Sequence, residues 1–485
     1  MGRKKALKRI RTALDTHLIL HMGDLGLQVV DDLVDMFTKA NPEFFKKQRM
    51  GFYTGGIPKQ IKSFRIERPF IILPRGSVEK VQELLDEHKM EMKPVWDRTL
   101  SKKSLNLKLK RKLWPYQKEA AMELAGIGNG TIRGPCGSGK TIILLGAIAK
   151  LDQPTLIVVH SAALMSQWKT RIVEWFGIVP GNIGGGKKLN IRPITVGMQQ
   201  TIWRKTSPHW IRNFGVIAGD EIHHWAARTF QVTASMFPAA YRIGASADER
   251  RKDGLEFLIY ETFGPCVHTI TEDELVQKGR LLPIRMEVIP TDYVDDNYVE
   301  SVELEETPDW INMISKLTAD EDRNALILHH VKRVLQNRRH RILMLNDRVE
   351  ICKMWYQRLN GNGINAGLMI GGGKNRKHLE ATKDGLIDGS VRVGIGTTVA
   401  DEGLDIPPLS HVFVTCPVHT NMKRLVQMVG RAARTFSEKA DYSCRTYRKR
   451  EGVAVYFWDK RMWPKETEFL NKLRKVCSEL ELMED

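Results

Sequence analysis

From Leu113 onward the chain alternates short apolar runs with polar or helix-forming stretches. Thr155–Val159, Ile194–Val196, Gly215–Ala218 and Tyr241–Ile243 are such runs. Short uninterrupted apolar segments of this kind predict parallel strands buried on both faces, with the intervening sequence as crossover helices. A second series opens near Leu282 and continues through Arg341–Leu345, Ala366–Ile370, Val391–Ile395, His411–Thr415 and Val453–Phe457. The pattern predicts two α/β halves in tandem, and there is no short-period repeat or low-complexity tract.

Ahead of these halves, Thr16 to about Trp96 predicts a small α/β unit. It holds an apolar run at His17–Met22, an amphipathic stretch at Val29–Phe37 and a second run at Pro69–Pro74. A helix with Ser77 as its cap follows, its apolar side built by Val81, Leu84 and Leu85. Lys102–Lys112 is basic and too poor in large apolar residues to form a core, so it is expected to be a linker that also touches phosphate. At 485 residues the chain exceeds one ordinary core. The expected division is residues 1–105, 106–283 and 284–485, the last ending in a helix.

Composition narrows the class. Apolar residues at 42% and charged residues at 27% argue against a disordered chain and against a membrane protein. No segment approaches the ~20 apolar residues of a bilayer span. No apolar stretch directly follows Met1-Gly2-Arg3-Lys4-Lys5, so an intracellular, cytoplasmic location is expected, in the host cytoplasm if the source is viral. Six scattered cysteines without C-x-x-C spacing suggest a reducing compartment and no structural zinc. The formal net charge is +18, and residues 1–112 hold 25 Lys and Arg against 13 Asp and Glu. A surplus concentrated in that way suits a polyanionic partner, through release of its counterions.

Local chemistry sharpens this. Gly134-Pro135-Cys136-Gly137-Ser138-Gly139-Lys140-Thr141 follows a short strand candidate at Thr131-Ile132 and precedes the helix candidate Ile142–Lys150. Glycines let successive N–H groups face phosphate oxygens, Lys140 reaches the outer phosphates, and the Thr141 hydroxyl ligates Mg²⁺. Downstream, Val216–His223 is an apolar strand ending in paired carboxylates. Asp220 would hold the metal shell, and Glu221 would orient and deprotonate the attacking water. In Gln427–Arg434, Arg431 and Arg434 lie three apart on one helix face. Guanidinium groups there would stabilise a departing γ-phosphate, and delivery from a second domain would tie cleavage to domain closure.

With these motifs in place the chain resembles superfamily-2 helicases, in order, across residues ~113–435. Trp114-Pro115-Tyr116-Gln117 is similar to the adenine-reading element of that family. Val159-His160-Ser161 with Gln167-Trp168, and Thr195 to Gln199, resemble its strand-grip motifs, while Gly244-Ala245-Ser246-Ala247 resembles its coupling motif, with Asp248 in place of the usual Thr. Gly396–Pro407, including Thr397 and Asp405, resembles the fifth motif, and Gln427–Arg434 the sixth. Asp220–Phe230 is most similar to the XPB-like branch, which includes phage and bacterial branched-DNA helicases.

The resemblance implies two tandem RecA-like parallel-sheet domains plus the small N-terminal α/β domain, with ATP and Mg²⁺ as cofactors. The nucleotide site it implies uses Gln117, Gly137, Ser138, Gly139, Lys140, Thr141, Asp220 and Asp405, with Thr141 and Asp220 on the metal. Catalysis falls to Lys140, Glu221, Arg434 and, as second choice of finger, Arg431. His160, Ser161, Gln199, Arg348 and Thr397 are candidate nucleic-acid contacts, and His223 with Ser246 candidate coupling residues. The implied activity is ATP-dependent movement on, and unwinding of, single-stranded and forked or branched DNA by a monomeric motor without membrane attachment, in repair, recombination or replication. A double-strand translocase, an RNA helicase and a binding scaffold with an idle ATP site are the alternatives. In the basic N-terminal region Phe52 and Tyr53 follow Lys46-Lys47-Gln48-Arg49, a pairing suited to stacking on an unpaired base.

Overall fold

The fold is taken from a computed structural model. It describes residues 7–97, 99, 101–135, 137–186, 188–204, 208–224, 236–247, 254–303, 309–346, 348–370, 376–397, 406–417, 430, 432–433, 437–439, 446–462, 471, 473–474, 477 and 479–483. The chain divides into two compact units, Met1–Pro135 with Gly139–Ile270, and Cys136–Ser138 with Thr271–Asp485.

The first unit carries two large sheets and a two-stranded one, Thr38–Ala40 with Gln60–Lys62. The N-terminal large sheet has five strands in the order Arg65–Glu67, Phe70–Pro74, His17–His21, Lys8–Leu14, Met90–Asp97. All its pairings are antiparallel except Lys8–Leu14 with Met90–Asp97. Side chains alternate along His17–His21, where Leu18 and Leu20 are buried and their neighbours half-buried. Period-2 burial of this kind fits a sheet packed on one face. The covering helices are Leu27–Met36 and Val78–Glu87, whose Val29, Leu33, Val81 and Leu85 join Ile10, Leu18, Leu20, Ile71 and Leu73 in one core. Ser77 occupies the expected N-cap position, although its side chain makes no capping bond.

The second large sheet of this unit has seven parallel strands, ordered Gly181–Ile183, Ile194–Met198, Thr155–Val159, Val216–Asp220, Tyr241–Ser246, Asn129–Arg133, Cys266–Thr269. Every residue of Thr155–Val159 and Val216–Asp220 is buried, as central strands covered on both faces require.

Charged side chains hold the two large sheets of the unit together. The buried Arg75 guanidinium donates to the carbonyls of Asp15 (2.5 Å) and Ala240 (2.8 Å). Buried Arg242 donates to the carbonyls of Phe237 (2.9 Å) and Thr16 (3.2 Å). Burial lowers the pKa of both, that of Arg75 to about 10. Ser63 Oγ donates to Glu261 Oε1 at 3.0 Å across the same seam. The basic linker is irregular, and its backbone is committed to the parallel sheet's helices. Asp152 accepts from the Leu107 N–H at 2.8 Å, and the Lys110 N–H donates to the Trp175 carbonyl at 2.8 Å. The head groups of Lys103, Lys108, Lys110, Arg111 and Lys112 stay exposed.

The second unit is again a seven-stranded parallel sheet, ordered Ala366–Met369, Val393–Gly396, Ile342–Leu345, His411–Val414, Gly452–Asp459, Ile284–Thr291, Glu479–Leu482. Trp355, Phe413 and Phe457 are among its fully buried side chains. Inside it Arg323 and Asp459 pair at 2.6 Å, both almost wholly buried. The expected C-terminal helix falls largely outside the described residues, and the last described element is the strand Glu479–Leu482. Among the described residues no helix is long and apolar enough to cross a membrane.

Candidate functional site

The strands of the first parallel sheet all point the same way, so the residues following them gather along one edge. Across that edge run Gln199, His160, Asp220, Ser246 and the 134–141 loop, in the order of their strands. In open parallel sheets this carboxyl edge is where ligands bind.

The loop leaves Asn129–Arg133 and enters the helix Lys140–Leu151. Gly137 (φ +94°) and Gly139 (φ +79°) adopt left-handed backbone there, which glycine accepts without strain. A Cβ at Gly139 would stand 2.4 Å from Gln117 Nε2, so the close approach of the Gln117 amide also requires glycine. Buried Gln117 accepts from the Trp114 N–H at 3.2 Å, fastening the start of its helix. Lys140 Nζ donates to the carbonyls of Gly134 (2.9 Å) and Pro135 (3.3 Å) and stands 3.8 Å from Glu221 Oε1.

Asp220 ends its strand almost fully buried. Its Oδ2 accepts from Trp168 Nε1 (2.8 Å) and Thr141 Oγ1 (3.4 Å), and its Oδ1 from the Glu221 N–H (2.9 Å). Burial, then the neighbouring Glu221 charge, raises its pKa to about 6 against the opposing pull of Lys140 and Trp168. Glu221 has φ +45°, an unusual conformation for a non-glycine residue and one associated with functional sites. His223 Nδ1 lies 2.8 Å from Ser246 Oγ and 3.5 Å from Glu221 Oε2. The geometry thus brings together Gln117, Gly139, Lys140, Thr141, Asp220, Glu221, His223 and Ser246. Thr141 and Asp220 offer hard oxygen donors within 3.4 Å of each other at the head of a helix, which suits Mg²⁺ beside phosphate.

The strand-grip candidates occupy the neighbouring half of the edge. Ser161 Oγ caps the helix Ala162–Phe176 by accepting from the Leu164 N–H at 3.3 Å. Gln199 is buried, and its neighbour Gln200 donates to the His160 carbonyl at 2.9 Å. That bridge ties adjacent strand ends, and no local sequence pattern marks it.

In the second unit Thr397 is buried just beyond Val393–Gly396. Arg348 donates to Ser315 Oγ (2.9 Å) and the Ile311 carbonyl (3.1 Å). Asp405, Arg431 and Arg434 lie outside the described residues, as do Asp248 and Asp347. Phe52 and Tyr53 are 58% and 88% exposed, just beyond the helix Pro42–Arg49.

Two family models match the chain. Residues 110–249 fit the Type III restriction enzyme res subunit, and residues 323–436 the helicase conserved C-terminal domain. The chain is 27% identical over 310 residues to a protein of Escherichia phage T5 named helicase D10, covering 64% of this chain and 65% of that one. It is 26% identical over 362 residues to the DNA 3'-5' translocase XPB2 of Sulfurisphaera tokodaii, covering 69% and 81%. The match spans 53% to 65% of the length of three of the curated relatives, the phage protein among them. A solved fragment of an HsdR subunit of a type I restriction enzyme from Vibrio vulnificus shares the fold at TM-score 0.53 and 17% identity, over 76% of this chain and 67% of that one. Both helicase segments thus stand in order on two parallel-sheet units of RecA-like type, so the chain carries the domain pair of superfamily-2 helicases and is similar to XPB-named proteins among them.

Proposed function

We propose that this chain is an ATP-driven DNA motor that moves on, and unwinds, forked or branched DNA. The observation that carries the reading is the convergence of Lys140, Thr141, Asp220 and Glu221, with His223 bonded to Ser246 beside them. Bound ATP with Mg²⁺ supplies the scissile phosphate and the charge that offsets it. Gln117 reads the adenine, and the N–H groups of Gly137, Ser138 and Gly139 cradle phosphate oxygens. Lys140 leaves its carbonyl partners for the outer phosphates. Thr141 and Asp220 hold the cation, and Glu221 takes a proton from the attacking water. Arg434, with Arg431, stabilises charge on the departing phosphate, and Asp405 completes the nucleotide contacts.

His160, Ser161, Gln199, Arg348 and Thr397 are assigned to the DNA strand, and His223 with Ser246 to the link between hydrolysis and movement. Residues 1–105 act as the accessory DNA-binding domain, 106–283 and 284–485 as the motor domains. Phe52 and Tyr53 stack on unpaired bases at the branch, and the exposed cations of the linker touch phosphate. The relatives named for 3'-5' travel support that polarity, and the motor works as a monomer inside the cell.

The test is ATP turnover of purified protein with single strand, duplex, fork and four-way junction, each as DNA and as RNA. Stimulation by forked or branched DNA above linear duplex supports the reading. Turnover indifferent to every nucleic acid refutes it. Strand displacement on a fork, set beside triplex displacement on an unforked duplex, separates unwinding from translocation alone.

A further inference from the structure

Trp168 sits at the second turn of the helix that follows His160 and Ser161, with none of its surface exposed. A buried indole N–H needs an acceptor, and most side-chain hydrogen bonds in proteins go to backbone or water. Here the acceptor is Asp220 Oδ2, at 2.8 Å. That oxygen also faces Thr141 Oγ1, at 3.4 Å, while the Glu221 N–H holds Oδ1 at 2.9 Å. The carboxylate is therefore oriented from both sides, by its own backbone and by a side chain from another helix.

The placement of that helix matters. It begins at Ser161, whose hydroxyl caps it, directly beyond the strand Thr155–Val159 that pairs with Val216–Asp220. Trp168 lies seven positions after Ser161, which puts it about 10 Å along the axis, on nearly the same face. Leu164, Met165, Trp168 and Ile172 are all buried, so the helix is packed to move as a rigid rod. A displacement of its first turn would be carried to the indole, and from the indole to the carboxylate.

We propose that Trp168 is a positioning residue that aims the Asp220 carboxylate at the metal position and ties it to the helix that Ser161 caps, directly after the candidate strand contacts His160 and Ser161. The inference rests on the motor reading of that site. It assigns to one hydrogen bond both metal-site order and part of the stimulation by nucleic acid. A merely structural indole would affect folding stability alone.

The experiment uses the full chain and compares wild type with Trp168→Phe, which keeps an aromatic ring and removes the donor. Titration calorimetry measures ADP affinity with Mg²⁺ and with chelator, each with and without single-stranded DNA, and steady-state assays follow ATP turnover. Affinity in chelator should agree within about twofold, while the enhancement by Mg²⁺ should fall about tenfold, as expected for loss of a hydrogen bond to a charged group. The ratio of DNA-stimulated to basal turnover should fall by about fivefold, in the range of ordinary coupling effects. If Trp168→Phe does not fold, benzothienylalanine at position 168 keeps the indole shape and replaces its N–H with sulfur. Equal Mg²⁺ enhancement in wild type and variant overturns the proposal. So does a lower enhancement with an unchanged stimulation ratio, because the tie to the strand contacts would be absent. A wild type that binds ADP with Mg²⁺ yet shows no nucleic-acid-stimulated turnover overturns the motor reading and, with it, the transmission half of this proposal, while calorimetry decides the metal half.

Discussion

Glu261 provides a test of the seam between the N-terminal sheet and the first motor sheet. Its Oε1 accepts from Ser63 Oγ at 3.0 Å, and its Oε2 is buried with no hydrogen-bond partner among the described residues. Burial pushes its pKa up to about 7, against weaker opposition from Ser63, Lys80 and Lys39. An acid whose folded pKa lies above its unfolded value, 4.5 here, favours folding while protonated and opposes it once ionised. Stability should therefore decline from about pH 4.5 to pH 7 and level off above. Linkage between those two values gives a cost of about 0.8 kcal/mol at pH 5 and about 3.3 kcal/mol at pH 8. Glu261→Gln removes the titration, so its effect relative to wild type should be more favourable at pH 8 than at pH 5 by about 2.5 kcal/mol. Any constant cost of the amide cancels in that difference. For a unit of this size the difference corresponds to roughly 5–10 °C in melting temperature. Scanning calorimetry of both proteins at the two pH values reads it directly. The same shift at both pH values, or a variant relatively worse at pH 8, would refute the burial argument and assign Glu261 a favourable charge at the seam.

The remaining predictions concern the site and the N-terminal aromatics. Lys140→Ala should lower ATP turnover by about a hundredfold or more while leaving salt-sensitive DNA binding within a few-fold of wild type. Substantial turnover in that variant would remove the assignment. Glu221→Gln should bind ATP but hydrolyse it poorly and form a long-lived complex on DNA, seen by filter binding. Near-normal hydrolysis would mean that another group activates the water. Arg434→Ala should reduce turnover more than ATP affinity, since its contact is strongest in the transition state, and a pure affinity loss would contradict the finger role. The double change Phe52→Ala with Tyr53→Ala removes two exposed rings, so melting should stay unchanged while fork unwinding falls further than single-strand binding. Equal losses in the two assays would end the stacking role. These point changes are cleaner than truncation at residue 105, which would take the Thr16 carbonyl from buried Arg242 and the Ser63 hydroxyl from Glu261.

Central strands were the easiest features to read, because burial on both faces leaves an uninterrupted apolar signature. Thr155–Val159 matches its strand end for end, and the structure extends the other expected runs by up to three residues or trims them. Edge strands that are half-solvated escape that signature. Cys266–Thr269 and Glu479–Leu482, each at the end of a seven-stranded order, were not anticipated. Lys8–Leu14 was missed for a related reason, since exposed Lys8, Arg9 and Arg11 hide the inward Ile10 and Thr12. The loop at 134–141 and the Asp220-Glu221 pair were legible because each is a local pattern whose chemistry depends on adjacent residues. The bonds that brace the site from elsewhere, Trp168 to Asp220 and His223 to Ser246, join positions 52 and 23 apart in sequence, a separation at which the residues alone show no pattern.

Charge counting illustrates the same limit from the other side. The surplus in residues 1–112 suggests a surface for a polyanion, but the count treats every cation as available. Arg75 is buried on two backbone carbonyls, and Arg11 is spent on Asp24 at 2.8 Å, while Glu261, an acid outside that segment, faces its Ser63. Cations with exposed head groups instead include Lys46 and Arg49 in the last turn of Pro42–Arg49 and Lys103, Lys108, Lys110 and Lys112 of the linker, whereas Arg111 pairs with Glu174 at 3.7 Å. The helix Pro42–Arg49 ends directly before the exposed rings of Phe52 and Tyr53. The stacking proposal therefore rests on a cation and aromatic pairing that survives once the structural arginines are subtracted, and it would not have survived had Lys46 or Arg49 been the buried ones.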